Sequence, residues 1–557
     1  MSKSRWRNPI TTVLFATILI CASVGIGLPA SAATANPWSA PSNIITTSNS
    51  ISSAQVVEDS SGNLTATWLE YVVSVYLVKA STKAPGGSWS TAETISPAGK
   101  SADSSNLIID NAGNITATWG VTESSGYTIQ AATKTSTGSW SAPANVSAVG
   151  QATSGTSLVV DGSGNVTAVW SFNTGSGRQL YGSTKPLAGV WSSASVVSSL
   201  VASYIQLPDL VVDTQGTVTA VWAQSDSYNS VFSATMSQGV WTSPHQLPVA
   251  GSNTYGSQVT IDGDGTVIAM WTYDPGPNSI TQSSTKPIGG AWSTPTTETG
   301  LGSNFYISNL VSDVRGNLTV LGSDYSGSEI AIHAASRIVG EPWSAISILS
   351  DPSSEANYSQ IVLDTSGNAV AVWAWGGTHT FPNTIVQSST LPLGGTWSGS
   401  VDVSSVSNPS VFPSLRMGTT GQALLSWAIS GNNTNSVVYS TMSWNYTLAY
   451  GANSGSGAVP TSQVGASGIV MNVAGASSLS RSGYTFSGWN TRADGTGTAY
   501  AEGSSISLTA DTTLYAQWTP ALAATGSTTG IPEAALGGLA VLCGAGILLA
   551  LRRRQLR

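Results

Sequence analysis

Few residues in this chain could do acid–base chemistry. Its three histidines, His245, His333 and His379, lie far apart with no metal-ligand spacing among them, so each reads as an isolated surface or loop residue. Nucleophile elbows and Gly-rich phosphate loops are missing, and short G-x-G patterns inside Gly-rich turns carry little weight. The regular carboxylates are Asp59, Asp110, Asp161, Asp213, Asp262 and Asp364. Such a series could bind calcium, with Asp262 and Asp264 the best pair. Each, however, opens an Asp-x-x-Gly turn whose backbone N–H groups its own carboxylate can accept. Turn capping is the expected role, with no metal and no cofactor. Arginines are sparse as well: Arg178, Arg315, Arg337 and Arg416 are the four between residues 37 and 444.

The elements that carry these residues repeat. The pattern Asp-x-x-Gly-(Asn/Thr)-x-(Thr/Ile)-Ala-x-Trp ends at Trp68, Trp119, Trp170, Trp222 and Trp271, spaced by 51, 51, 52 and 49 residues, and returns in degraded form at Trp373 and Trp427. One repeat has Gly322 in the Trp position. A second marker, Trp followed by Ser or Thr, falls at Trp38, Trp89, Trp140, Trp191, Trp241, Trp292, Trp343 and Trp397. Each unit divides into four strand-like runs, and its first hairpin has Asp/Gly turn chemistry. Four antiparallel strands at this period match a propeller blade. The chain opens on a fourth-strand marker at Trp38 and ends its last repeat on a third strand, so the N-terminal strand should complete the eighth blade. An eight-bladed β-propeller over 37–444 is expected, with seven blades as the runner-up. One Trp per blade is what packing between blades requires.

In such a meander the a–b and c–d turns share one face, and here they are nearly uniform. The b–c and d–a loops share the other face and vary, as loops that carry function on a rigid scaffold do. Aromatics stand just before the innermost strands of the later blades: Tyr204, Tyr255, Tyr306, Tyr358 and Phe412. An arc of rings near the channel mouth would suit carbohydrate or peptide, and Asp274, Trp375 and His379 in b–c loops could add contacts. The alternative is that these rings only pack their own loops.

Composition agrees with short strands and tight turns. Charged residues are 8% of the chain, hydrophobic residues 41%, and there are 20 Trp. A net charge of −8 argues against nucleic acid as a partner. Both cysteines, Cys21 and Cys543, lie in terminal apolar runs. Lys3, Arg5 and Arg7, an apolar stretch and Ala30-Ser31-Ala32 read as a signal peptide over 1–32. At the other end, Leu522-Ala523-Ala524-Thr525-Gly526 and a spacer (520–530) precede an apolar run at 531–551 and a basic tail at 552–557. That run is long enough for a transmembrane helix, with the tail on the cytoplasmic side.

The C-terminal pattern resembles a cell-wall sorting signal in its LAxTG form. The resemblance implies a sortase that cuts between Thr525 and Gly526 and links the chain to peptidoglycan. Residues 445–519 carry Gly483-Tyr484-Thr485-Phe486-Ser487-Gly488-Trp489 and Thr512-Thr513-Leu514-Tyr515-Ala516-Gln517-Trp518. These blocks resemble the internalin-type B repeat, also called the Listeria–Bacteroides repeat, which implies a small β-grasp-like spacer module. Sialidase-like glycosidases are also propellers with Asp- and Trp-bearing repeats. Their Trp follows the Asp more closely than Trp170 follows Asp161, and they use a set of arginines around the substrate carboxylate. The expected whole is an all-β, non-enzymatic adhesin or binding protein on the extracellular face of the cell envelope, with an extracellular glycan or protein as ligand. A secreted glycan-acting enzyme and a purely architectural surface protein are the alternatives.

Overall fold

The computed structural model describes residues 36–521, apart from 125, 153–154, 199–200, 226–228, 248–252, 325–329, 354, 377–383, 406–409, 431–433, 467–469 and 509. The chain forms two compact units, the first of Met1–Thr419 and Ala423–Ser443, the second of Thr420–Gln422 and Trp444–Arg557.

The first unit is built of eight antiparallel sheets, here called blades 1 to 8, with strands a to d from the inside outward. Blade 3 shows the pattern: Thr156–Val160, Val166–Asn173, Arg178–Lys185 and Ser195–Val196. In blade 4 strand a is broken into Tyr204–Ile205 and Asp209–Val212, both paired with Val218–Ser225. Pro208 stands in the gap and has no N–H to give the ladder. Blade 8 takes its strands a to c from Ser410–Met417, Ala423–Ser430 and Asn435–Met442. Its fourth strand is Ser42–Thr47, which runs antiparallel from Ser42 opposite Tyr439 to Thr47 opposite Asn435. Innermost strands touch in chain order, and that of blade 8 touches Ile51–Glu58 of blade 1, so the propeller-like ring is closed.

Two side-chain devices recur and explain the sequence markers. In the blade 3 hairpin, Asp161 Oδ1 accepts the N–H groups of Ser163 and Asn165, each at 2.9 Å, and Oδ2 accepts Asn165 Nδ2 at 2.8 Å. Gly164 closes the turn at φ +80°, and a Cβ there would lie 3.0 Å from Asp110 Oδ2 of the preceding blade. Both demands point to glycine. The Trp-Ser/Thr marker has an equally local cause. Its hydroxyl accepts a strand-c N–H in every blade, as Thr184 N to Ser192 Oγ at 3.1 Å and Thr235 N to Thr242 Oγ1 at 3.1 Å. A side chain thus takes the place of a ladder acceptor beside strand c, ahead of the paired part of strand d, which is Ser195–Val196 in blade 3.

The strand-b tryptophans Trp68, Trp119, Trp170, Trp222, Trp271, Trp373 and Trp427 are all fully buried. Six of them lie in clusters that join neighbouring blades; Trp119, for example, packs with Val57 and Leu69 of blade 1 and with Leu107 of its own. Burying such a ring between sheets stabilises the ring by roughly 3–5 kcal/mol per Trp, by the measure of truncation to Ala.

In the second unit the five-stranded sheet runs in the order Gln463–Ala466, Asn445–Gly451, Thr512–Pro520, Tyr484–Asn490, Ala499–Tyr500. Asn445–Gly451 and Thr512–Pro520 are parallel neighbours. Its core gathers Leu448, Tyr450, Trp489 and Leu514. Gly488, bulged at φ +128°, has room only for hydrogen: a Cβ would meet Tyr500 O at 2.9 Å.

The fold reading needs one correction. The structure is all-β, and its one helical element among the described residues is the 3-10 turn Thr299–Leu301. No described helix is long and apolar enough to cross a membrane, so the fold of the described residues is all-β alone, without the transmembrane helix that the expected fold class included. Residues 531–551 themselves lie outside the described residues, as do the signal peptide 1–32, Leu522 to Gly526 and the tail 552–557.

Candidate functional site

The innermost strands bulge near their starts. Ladder register shifts between Ser52 and Gln55, Asp103 and Asn106, Asn357 and Gln360, and Val411 and Ser414. Within these bulges Ser53, Ser104, Tyr358 and Phe412 take φ of 53°, 47°, 55° and 52°. The left-handed region is uncommon for a residue with a side chain and costs roughly 1–2 kcal/mol. Bulges re-aim side chains, and here they leave Tyr358 59% and Phe412 45% exposed. The two rings, from adjacent blades, meet edge to face with centroids 5.1 Å apart at 68°.

Below this pair lies a cavity of about 640 Å³ whose walls come from the innermost strands of blades 1, 2, 6, 7 and 8. Hydroxyls and amides line much of it, including Ser53, Ser105, Asn309, Ser359 and Ser414. Gln360 staples two blades together: its Nε2 donates to Pro413 O at 2.7 Å and its Oε1 accepts Leu415 N at 2.8 Å. Gln55 does the same toward blade 2 through Ser105 O and Leu107 N. Arg416 also lines the cavity, and its side chain forms no ion pair or hydrogen bond with any described residue. Burial pushes its pKa below the ordinary arginine range. Among the described lining residues there is no carboxylate.

The arc expected from sequence is thus divided. Tyr358 and Phe412 come together on the cavity. Tyr204 and Tyr255 are exposed on their own blades, opposite Ser225 and Thr272, and Tyr306 shares a hydrogen bond with Ser279 at 2.9 Å; none of the three lines the cavity. Blade 5 carries Gly256 at the bulge position, φ 58°, where a Cβ would strike Ile307 O at 2.3 Å. Asp274 accepts Gly276 N at 3.1 Å within its own loop, and Trp375 Nε1 donates to Asp351 O at 3.2 Å. His379 lies outside the described residues. Asp262 Oδ1 accepts the N–H groups of Asp264 and Thr266 at 3.1 and 2.8 Å. No group of three or more His, Cys, Asp or Glu among the described residues could hold a metal ion.

Sequence reasoning counted Arg416 among the four arginines but gave it no place in a site. The signal was there: two places before the turn, the other blades carry Val57, Ile108, Val159, Val211, Thr260, Val311 and Val362. A cation in a column of β-branched residues stands out once the repeats are aligned. The other arginines are dispersed. Arg315 lies 3.7 Å from Asp313, and Arg337 pairs with Glu298 at 2.9 Å while covering the Trp343 ring.

Residues 446–517 match the Listeria-Bacteroides repeat domain. The parallel pair Asn445–Gly451 and Thr512–Pro520 spans the two ends of this Listeria-Bacteroides repeat. Two proteins of Evansella cellulosilytica are similar over short stretches. One, named as a Gly-rich membrane protein, is 42% identical over 79 residues, 13% of this chain and 9% of that one. Another, named as a membrane protein, is 41% identical over 76 residues, 13% of this chain and 11% of that one. The chain thus spans about a tenth of the length of these relatives. Among solved structures, the fold is similar to an ulvan lyase, with TM-score 0.40 and 9% identity over 59% of this chain and 90% of that chain. A Hadza microbial sialidase gives 0.35 and 14% over 58% and 76%. The Penicillium chrysogenum α-L-arabinanase gives 0.35 and 10% over 62% and 95%. At these values no substrate follows from the likeness.

Proposed function

We propose that this is a cell-surface binding protein whose ring takes a carbohydrate ligand at the mouth of its central channel. The observation that carries the reading is the exposed Tyr358–Phe412 pair, held by two strained bulges on adjacent blades above a hydroxyl- and amide-lined cavity. Strain of this kind concentrates at ligand clamps, and aromatic faces with nearby polar groups suit a sugar. Binding rather than hydrolysis is favoured because a glycosidase ordinarily needs a pair of carboxylates, and the described lining offers none. The Listeria-Bacteroides repeat, the relatives named as membrane proteins and the Leu522–Gly526 pentapeptide support a place at the cell envelope, with a sortase and peptidoglycan as partners.

A glycan array with the full chain tests this. Tyr358→Ala with Phe412→Ala should abolish the binding seen with wild type, while Tyr204→Ala retains it. Binding indifferent to the double change would remove the channel mouth from consideration, and absence of binding to every glycan would leave an architectural role.

A further inference from the structure

Arg416 is the unexplained residue of the channel. It lines the cavity, pairs with no described residue, and stands where seven other blades carry β-branched residues. Arg416 is half-buried, and a guanidinium drawn partly out of water is stabilised when an anion meets it; the described walls supply hydroxyls and amides but no carboxylate. The open cavity is the route by which a ligand supplies that anion.

We propose that Arg416 receives the anionic group, a carboxylate or a sulfate ester, of an acidic oligosaccharide bound at the channel mouth. The inference rests on the carbohydrate reading above and adds the ligand's charge. A guanidinium presents a planar fork that matches two oxygens of either group. Phe412 and Arg416 lie on one strand, Ser410–Met417, four residues apart, or roughly 13 Å at the ordinary rise per residue. An oligosaccharide whose outer ring rests on the aromatic pair can therefore run inward past Ser414 and present the acidic substituent of an inner ring to the guanidinium. A sugar suits this path better than an acidic peptide, because Ser53, Asn309, Ser359 and Ser414 stand along walls shared with Ile361, Leu415 and Met417, a mixture that matches a sugar's hydroxyls and apolar ring faces.

The test compares four probes on the full chain: a uronate oligosaccharide, its methyl ester, a sulfated neutral oligosaccharide and an oligoglutamate peptide. Wild type should bind the uronate or the sulfated probe at least tenfold more tightly than the methyl ester, and added salt should reduce that preference. In Arg416→Gln and Arg416→Met the preference for acid over ester should fall to about one. Both variants should melt no lower than wild type, since the change removes an unpaired cation, which separates lost recognition from lost fold. The stronger acidic probe identifies the anion. Equal binding of acid and ester by wild type, or an undiminished preference in the variants, overturns the role of Arg416 and leaves the carbohydrate reading standing. Capture of oligoglutamate with no sugar bound, or of none of the four probes, overturns both.

Discussion

Phe305 occupies the space that a tryptophan fills in the other blades. Gly322 stands at the Trp position of blade 6, and a Cβ on it would lie 2.5 Å from Phe305 Cε1. In blades 2 and 7 the arrangement is reversed: Ala102 and Ala356 hold the place of Phe305, and Trp119 and Trp373 are present in the same clusters. The ring that fills this place has moved from strand b to strand a. Phe305→Ala should cost about 3–5 kcal/mol, and Gly322→Trp alone should also destabilise through overpacking. The double change recreates the pattern of blades 2 and 7, so it should recover most of the loss. Urea unfolding of the four chains measures the coupling, and additive losses would contradict this packing account.

Asp209 is the charged member of the inter-blade staples. Its carboxylate accepts Val259 N at 3.0 Å and Leu210 N at 3.2 Å, and burial, which outweighs these bonds, raises its pKa to about 6. A carboxyl whose folded pKa exceeds its ordinary 3.8 binds its proton more tightly in the native state. The penalty for its charge is absent below about pH 4 and complete above about pH 6, so this group's contribution to stability falls as pH rises through that window. Asp209→Asn should be more stable than wild type at pH 7 by on the order of 1 kcal/mol. The difference should vanish or reverse at pH 4, as read by thermal melts.

Tyr358 and Phe412 oppose stability and binding to each other. Glycine adopts their left-handed backbone without a Cβ penalty. Tyr358→Gly should therefore leave the melting temperature unchanged or raise it, by an amount equivalent to about 1 kcal/mol, while glycan binding is lost. A clear fall in stability would show that the ring is needed for packing.

The Asp turns should behave as structural caps. Asp161→Ala removes three accepted hydrogen bonds, and a loss of about 1–2 kcal/mol is expected. Chelator or added calcium should shift the melting of wild type and of Asp262→Asn equally little. A calcium-dependent shift confined to wild type would assign Asp262 to a cation instead.

Closure of the ring hangs on a short strand. Ile44 of Ser42–Thr47 packs with Trp68 of blade 1 and Leu424 of blade 8. Ile44→Asp should weaken both contacts and free the edge of Asn435–Met442, which is then open to pairing with other chains. Lower melting and concentration-dependent association by light scattering are the expected results.

What the sequence alone determined is local. Asp-x-x-Gly calls for a capped turn with a left-handed glycine, Trp-Ser/Thr for a hydroxyl facing strand c, and the period of about 51 residues for one such unit after another. The marker order also implied that Trp38 begins a strand belonging to the last blade. Each of these rests on residues within a few positions of one another, or on a simple count. Tertiary structure decided which aromatics share a site. Tyr306 and Tyr358 look alike before their strands, yet the bulge that turns Tyr358 outward toward Phe412 holds no ring in blade 6 or blade 5. Ring closure likewise brings Ser53 to the cavity of Arg416 across more than three hundred residues of chain. Strand alternation cannot report either fact, because a bulge resets which way the next side chain points and closure joins residues that no local pattern relates.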